Sequence, residues 1–137
     1  MAKKKIVVCD HIHQVGLDIL SSSDDIDYVN IADDKENLLY HIEDANVLIT
    51  RSSTPVDEKF LQKTHSLESI VRAGVGVDNI DIDACTKKGI VVMNLPTSNT
   101  IAAVELTMCH ITSSVRYFPY SHNHLKNERI WKREKWY

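Results

Sequence analysis

Residues 67–93 read Leu67-Glu68-Ser69-Ile70-Val71-Arg72-Ala73-Gly74-Val75-Gly76-Val77-Asp78-Asn79-Ile80-Asp81-Ile82-Asp83-Ala84-Cys85-Thr86-Lys87-Lys88-Gly89-Ile90-Val91-Val92-Met93. Leu67 to Val71 and Ile90 to Met93 are short apolar runs of strand length. Between them Asp81 stands where an N-cap belongs, Ile82 and Cys85 share a helical face, and Gly89 occupies the C-terminal stop. Strand, helix and strand in that order make a crossover unit of a parallel sheet.

The same alternation extends toward the N-terminus. Ile6-Val7-Val8-Cys9 is a continuous apolar run, as a strand buried on both faces requires. Val15, Leu17, Ile19 and Leu20 follow at roughly helical spacing and stop at Ser21-Ser22-Ser23. Ile26 to Ile31 reads as a second strand, less apolar and so nearer an edge. Asp34 is expected to cap a helix with Leu38, Leu39 and Ile42 inward, and Val47-Leu48-Ile49 forms a third strand. Thr54-Pro55-Val56-Asp57 has the form of a helix start, with Thr54 as cap and Pro55 at the first turn. Beyond residue 100 the chain is helical through Val115 and apolar nearly all round, so that helix is expected to be buried on more than one side. The whole reads as an α/β, doubly wound, five-stranded parallel sheet followed by a long helical arm. The division falls at residues 1–99 and 100–137.

Composition narrows the function classes. The chain has 137 residues, 16 Lys+Arg against 19 Asp+Glu, and no apolar run near the roughly 18 residues of a membrane span. Ile6 to Cys9 is too short for a signal peptide core. Cys9, Cys85 and Cys109 are odd in number and contain no C-x-x-C, so a reducing, cytoplasmic setting is expected rather than a disulfide framework. Cys9 and Cys109 read as core residues. Charge is uneven: residues 1–116 carry 11 basic and 17 acidic side chains, residues 117–137 carry 5 and 2. That basic tail also holds Tyr117, Phe118, Tyr120, Trp131, Trp136 and Tyr137, six of the nine aromatics. It reads as surface belonging to a larger assembly, with a nucleic-acid or protein-binding arm as the competing interpretation.

Parallel sheets gather ligands at the carboxyl ends of their strands. Here the third strand ends in Arg51-Ser52-Ser53-Thr54, the fourth in Arg72-Ala73-Gly74-Val75-Gly76, and the fifth in Asn94-Leu95-Pro96-Thr97-Ser98-Asn99. Two guanidinium forks, a Gly-x-Gly backbone and a helix N-terminus on one edge suit a carboxylate or phosphate. Gly74-Val75-Gly76 is not a dinucleotide loop, because Asn79 stands at the third glycine position and the ribose-binding acid is missing. His11-x-His13 and His122-x-His124 have no third ligand beside them, so no metal is expected. Ser52 and Ser53 have no His with an orienting acid, so they are not nucleophiles.

These residues also carry a family likeness. Ile49 to Val56, Ile70 to Asp81, Lys88 to Pro96, and Asn99 with Ala103-Val104-Glu105-Leu106-Thr107 resemble the NAD-dependent D-isomer-specific 2-hydroxyacid dehydrogenases, the phosphoglycerate branch most of all. The resemblance implies a flavodoxin-like substrate domain with an NAD-binding Rossmann domain following it. It implies that the Val75 and Gly76 amides meet the substrate carboxylate and that Val75 also lies against the nicotinamide. Arg51, Ser52, Arg72, Gly74 and Asn99 would complete the substrate contacts. The family's glycine fingerprint and its catalytic arginine, glutamate and histidine come later than the stretch resembling residues 129–137. No catalytic residue is therefore expected within these 137 residues, and the chain alone is expected to be inactive, holding neither NAD nor substrate as the complete enzyme would. The helix from residue 100 is expected to mediate a homo-oligomer. A stand-alone small-anion binding or regulatory module is the alternative.

Overall fold

The computed structural model describes residues 3–129. Five strands, β1 (Lys4–Val8), β2 (Ile26–Asn30), β3 (Val47–Thr50), β4 (Ser69–Arg72) and β5 (Val91–Asn94), form one sheet in the order β2-β1-β3-β4-β5. Every pairing is parallel. Between them lie α1 (Gln14–Ser21), α2 (Leu38–Ile42), α3 (Glu58–Leu61) and α4 (Ile82–Lys87). The architecture is the doubly wound parallel α/β sheet expected from the alternation, in the flavodoxin-like form that the family resemblance implies.

Handedness explains which helix covers which face. The step from β1 to β2 runs one way across the sheet, and the three later steps run the other way. Right-handed crossovers then put α1 on one face and α2, α3 and α4 on the opposite one. The core confirms the second layer: Val7, Leu48 and Ile70 pack with Ile42, Phe60, Leu61 and Cys85. Their neighbours Ile6 and Val8 point to the other face and are also buried, as a central strand requires. On α1, Leu17 and Leu20 are half-buried while Val15 and Ile19 are exposed. The helix therefore turns a narrower apolar stripe inward than its spacing suggests.

Local signals hold where no tertiary contact competes. Asp81 accepts from Ala84 N–H at 2.9 Å and caps α4. Gly89, at φ +71°, ends that helix in the left-handed region that glycine enters without strain. Two caps differ from expectation. Thr54 does not start α3; Asp57 does, accepting from Phe60 N–H at 2.7 Å. Val56 is drawn into a parallel bridge with Ile80, its N–H donating to Asn79 O, so the helix cannot begin before it. Asp34 caps no backbone group. Its carboxylate takes the Asn37 side chain at 2.8 and 3.0 Å, a 3₁₀ turn at Lys35–Asn37 precedes α2, and Leu39 faces outward.

The contacts divide the chain between Ser98 and Asn99 into two compact units. In the second, α5 (Thr100–Val115) and α6 (Phe118–Glu128) are separated by Tyr117, whose φ is +50°. Pro119 has no N–H for the Val115 carbonyl four residues back, so one continuous helix is excluded. The expectation that α5 is buried on several sides is not met: none of its residues is buried, and Ile101, Val104, Leu106, Met108 and Ile111 are all more than half exposed. Cys109 is exposed with them rather than in a core, whereas Cys9 and Cys85 are buried. Apolarity measures how much surface needs cover, not what provides it. Trp131, Trp136 and Tyr137 lie outside the described residues. No helix among the described residues is long and apolar enough to cross a membrane.

Candidate functional site

The register aligns the strand ends. Thr50 pairs with Arg72 and Arg72 with Asn94, while Val8 pairs with Ile49. Asp10, Arg51, Arg72 and Asn94 therefore leave the sheet along one carboxyl rim. The strand order reverses between β1 and β3, which places a crevice there.

On the β4–β5 side, the loop after Arg72 is held by its carbonyls. Leu95 N–H donates to Gly74 O at 3.0 Å and the Asn94 side chain donates to Val75 O at 2.7 Å. The Gly74 N–H turns back to Arg72 O at 2.8 Å. The Val75 and Gly76 N–H groups donate no hydrogen bond among the described residues. Half-buried donors left open in this way are suited to an anion. Arg72 folds over the same loop: a Cβ on Gly74 would collide with Nη1, so any larger residue there makes the guanidinium move aside. The Arg72 Nε is buried with no hydrogen-bond partner among the described residues.

On the β1–β3 side, Arg51 is exposed and its Nη1 reaches His11 O at 3.4 Å. Beneath it lies Asp10, only 3% exposed, directly after β1. Its carboxylate pairs with Lys35 and accepts from Arg51 N–H at 2.6 Å, Ser53 Oγ at 2.7 Å and Thr54 Oγ1 at 2.8 Å. Burial by itself would raise the Asp10 pKa, but the Lys35 ammonium and these three donors hold it well below the ordinary carboxylate value. Burial chiefly, and then the Asp10 charge, push the Cys9 thiol up to about 12, so it is no nucleophile. Asn79 closes the loop from the other side, donating to Arg51 O at 2.8 Å and Thr54 O at 2.6 Å.

Of the residues singled out in the sequence, Arg51, Ser52, Arg72, Gly74, Val75 and Gly76 share this rim. Asn99 opens the second unit, where its carbonyl accepts from Ala103 N–H and its side chain caps nothing. The histidine pairs have other occupations. His13 accepts from Val15 N–H at 3.3 Å and His11 pairs with Asp33 at 3.2 Å. His122 stacks on Phe118 and His124 pairs with Glu128 at 2.8 Å. Sequence reasoning overlooked Asp10 and Asn79. An acid immediately after an apolar strand was a usable signal, since the carboxyl-end rule applies to β1 as much as to β3. Asn79 was visible only as a glycine that was missing.

Comparison with known proteins points in one direction. Residues 6–132 match the model of the D-isomer specific 2-hydroxyacid dehydrogenase catalytic domain. The chain is 40% identical to a D-3-phosphoglycerate dehydrogenase of Methanocaldococcus jannaschii over 96% of its own length and 25% of that protein's. It is 43% identical to a D-3-phosphoglycerate dehydrogenase of Bacillus subtilis over 94% of its length and 24% of the relative. It thus spans about a quarter of these curated relatives. An NAD+-bound 3-phosphoglycerate dehydrogenase from Entamoeba histolytica superposes with a TM-score of 0.68 at 33% identity, covering 84% of this chain and 40% of that one. A Thermus thermophilus protein superposes with a TM-score of 0.79 at 23% identity over 95% of this chain and 43% of that one, which speaks for the fold alone.

Proposed function

Because the chain belongs to the family of D-isomer specific 2-hydroxyacid dehydrogenases, we propose that it supplies the substrate-binding part of an NAD-dependent D-3-phosphoglycerate dehydrogenase, which converts 3-phosphoglycerate to 3-phosphohydroxypyruvate in serine biosynthesis. The observation that carries this reading is the pair of unpartnered amides, Val75 and Gly76, beside the buried Nε of Arg72. The two N–H groups hold the substrate carboxylate. The Arg51 and Arg72 forks suit the second anionic group, where bidentate geometry gives both strength and orientation. Ser52 adds a polar contact, and Val75 would lie against the nicotinamide of bound NAD.

The residues present do not make an NAD site of their own. Asn79 stands where the fingerprint needs its third glycine, and its carboxamide is spent on Arg51 O and Thr54 O. Hydride transfer needs both reactants held at near-attack distance. This chain therefore binds substrate weakly and oxidises none. Calorimetric titration with 3-phosphoglycerate, together with absorbance at the NADH band after adding NAD, checks both statements. Turnover by the 137-residue chain overturns the division of labour, and absence of any binding heat overturns the site. Micromolar binding without NAD favours the free-standing anion-binding module instead.

The proposal includes a homo-oligomer through α5. Ile101, Val104, Met108, Ile111 and Val115 recur at alternating intervals of three and four, a seam suited to a second helix, and all are exposed. The expected result in light scattering is a mass rising with concentration above 15.6 kDa, and a return to monomer in Ile111→Asp. A concentration-independent monomer overturns it.

A further inference from the structure

We infer that Asp10 and Asn79 are positioning residues that clamp the loop 51–54 and thereby aim Arg51 at the anion. The inference rests on the substrate reading above for what the loop binds, but not for how it is held. Arg51, Ser52, Ser53 and Thr54 make no main-chain to main-chain hydrogen bond among the described residues. Side chains from the end of β1 and from the loop before α4 hold them instead. Asp10 takes the N–H of Arg51 and the hydroxyls of Ser53 and Thr54, and Asn79 takes the carbonyls of Arg51 and Thr54. Lys35 bridges Asp10 and Thr54 Oγ1, the latter at 2.7 Å. Ser52, at the tip, is left ungripped. The peptide unit on either side of the Arg51 Cα is therefore fixed from a different segment, one by Asp10 after β1 and the other by Asn79 in the loop before α4.

The choice of groups fits a positioning role. A buried ion pair gains little stability over an apolar filling, and its better-attested use is to specify one arrangement. Only an ionised carboxylate can accept four donors across its two oxygens; an asparagine at position 10 would offer one acceptor oxygen and turn an NH₂ toward donors. Asn79 supplies the complementary group, two N–H donors aimed at two carbonyls.

Amide hydrogen exchange and 3-phosphoglycerate affinity, both measured well below each variant's melting temperature, test the clamp. Asp10→Asn is expected to speed exchange at Arg51 N–H about tenfold or more, while Cys9 and Ile31 N–H, bonded within the sheet, stay slow. Affinity is expected to fall about tenfold, and Arg51→Ala added to Asp10→Asn is expected to cost nothing further. Should Asp10→Asn fail to fold, the exposed Ser53→Ala and the capping-neutral Asn79→Ala carry the same expectations. Unchanged exchange at Arg51, or an Arg51→Ala loss of equal size in both backgrounds, overturns the clamp. If the unmodified chain binds no phosphoglycerate, the substrate reading falls, and exchange at Arg51 still decides the clamp either way.

Discussion

Arg72→Ala lowers 3-phosphoglycerate affinity about ten- to a hundredfold and leaves the melting temperature of the chain essentially unchanged. The two halves of this expectation have one cause. The Arg72 Nε is buried without a hydrogen-bond partner among the described residues, so deleting the guanidinium removes an unsatisfied group and costs the fold little. The bound anion, by contrast, loses a charge-assisted fork worth about 1.5–3 kcal/mol, or roughly ten- to a hundredfold in affinity. Arg72→Lys does not restore it, because an ammonium cannot reproduce the planar fork. Gly74→Ala acts on the same contact from the other side: its methyl group would occupy the place of Nη1, so the guanidinium must swing away while the backbone stays. Calorimetric titration and a thermal melt on the same samples check this. Undiminished binding by Arg72→Ala removes the basis of the proposed site.

Asp10→Ala has the largest effect expected on stability, a loss of about 3 kcal/mol at neutral pH. It leaves Lys35 without its carboxylate and three donors, Arg51 N–H and the Ser53 and Thr54 hydroxyls, without their acceptor. The pH dependence follows from the sign of the Asp10 shift. Its carboxyl is held below the ordinary value of 3.8 in the folded chain, so the unfolded chain takes up the proton first. The stabilisation is therefore complete above about pH 5, shrinks as pH falls through 4, and is lost at still lower pH. Urea unfolding at pH 7, 5, 4 and 3 should give midpoints that fall more steeply for the unmodified chain than for Asp10→Ala. Parallel curves, offset by the same amount at every pH, would show that the carboxylate charge is not what stabilises this end of the sheet.

The strand rhythm was legible because buried parallel strands must be continuously apolar, and Ile6 to Cys9 and Val47 to Ile49 say so without help from elsewhere; Ile90 to Met93 is as apolar, although β5 lies at the sheet edge with Val91 and Met93 exposed. Asp81 and Gly89 were legible for a related reason: a cap and a left-handed stop act within one turn of their own helix. Thr54 misled because Thr-Pro-x-Asp offers two caps, and the choice was made by Val56 pairing with Ile80, far along the chain. Leu39 and α5 show the converse limit. Their spacing states that an apolar surface exists, but its cover depends on groups that local sequence does not contain. Arg51, Arg72 and the Gly74–Gly76 loop could be placed on one rim because the carboxyl-end rule follows from topology alone. The grip of Asp10 and Asn79 on residues 51–54 could not, since it joins residues 41 and 28 positions apart.

The two outermost strands carry a consequence for how the chain behaves when crowded. Each leaves one row of main-chain groups open to any passing extended segment, the usual seed of fibrous aggregation. Yet β5 has only four residues before Leu95 is tied to Gly74 and Pro96 interrupts the row, and β2 intersperses Asp27 and Asn30 among its apolar positions. Templates so short and so polar recruit neighbours poorly.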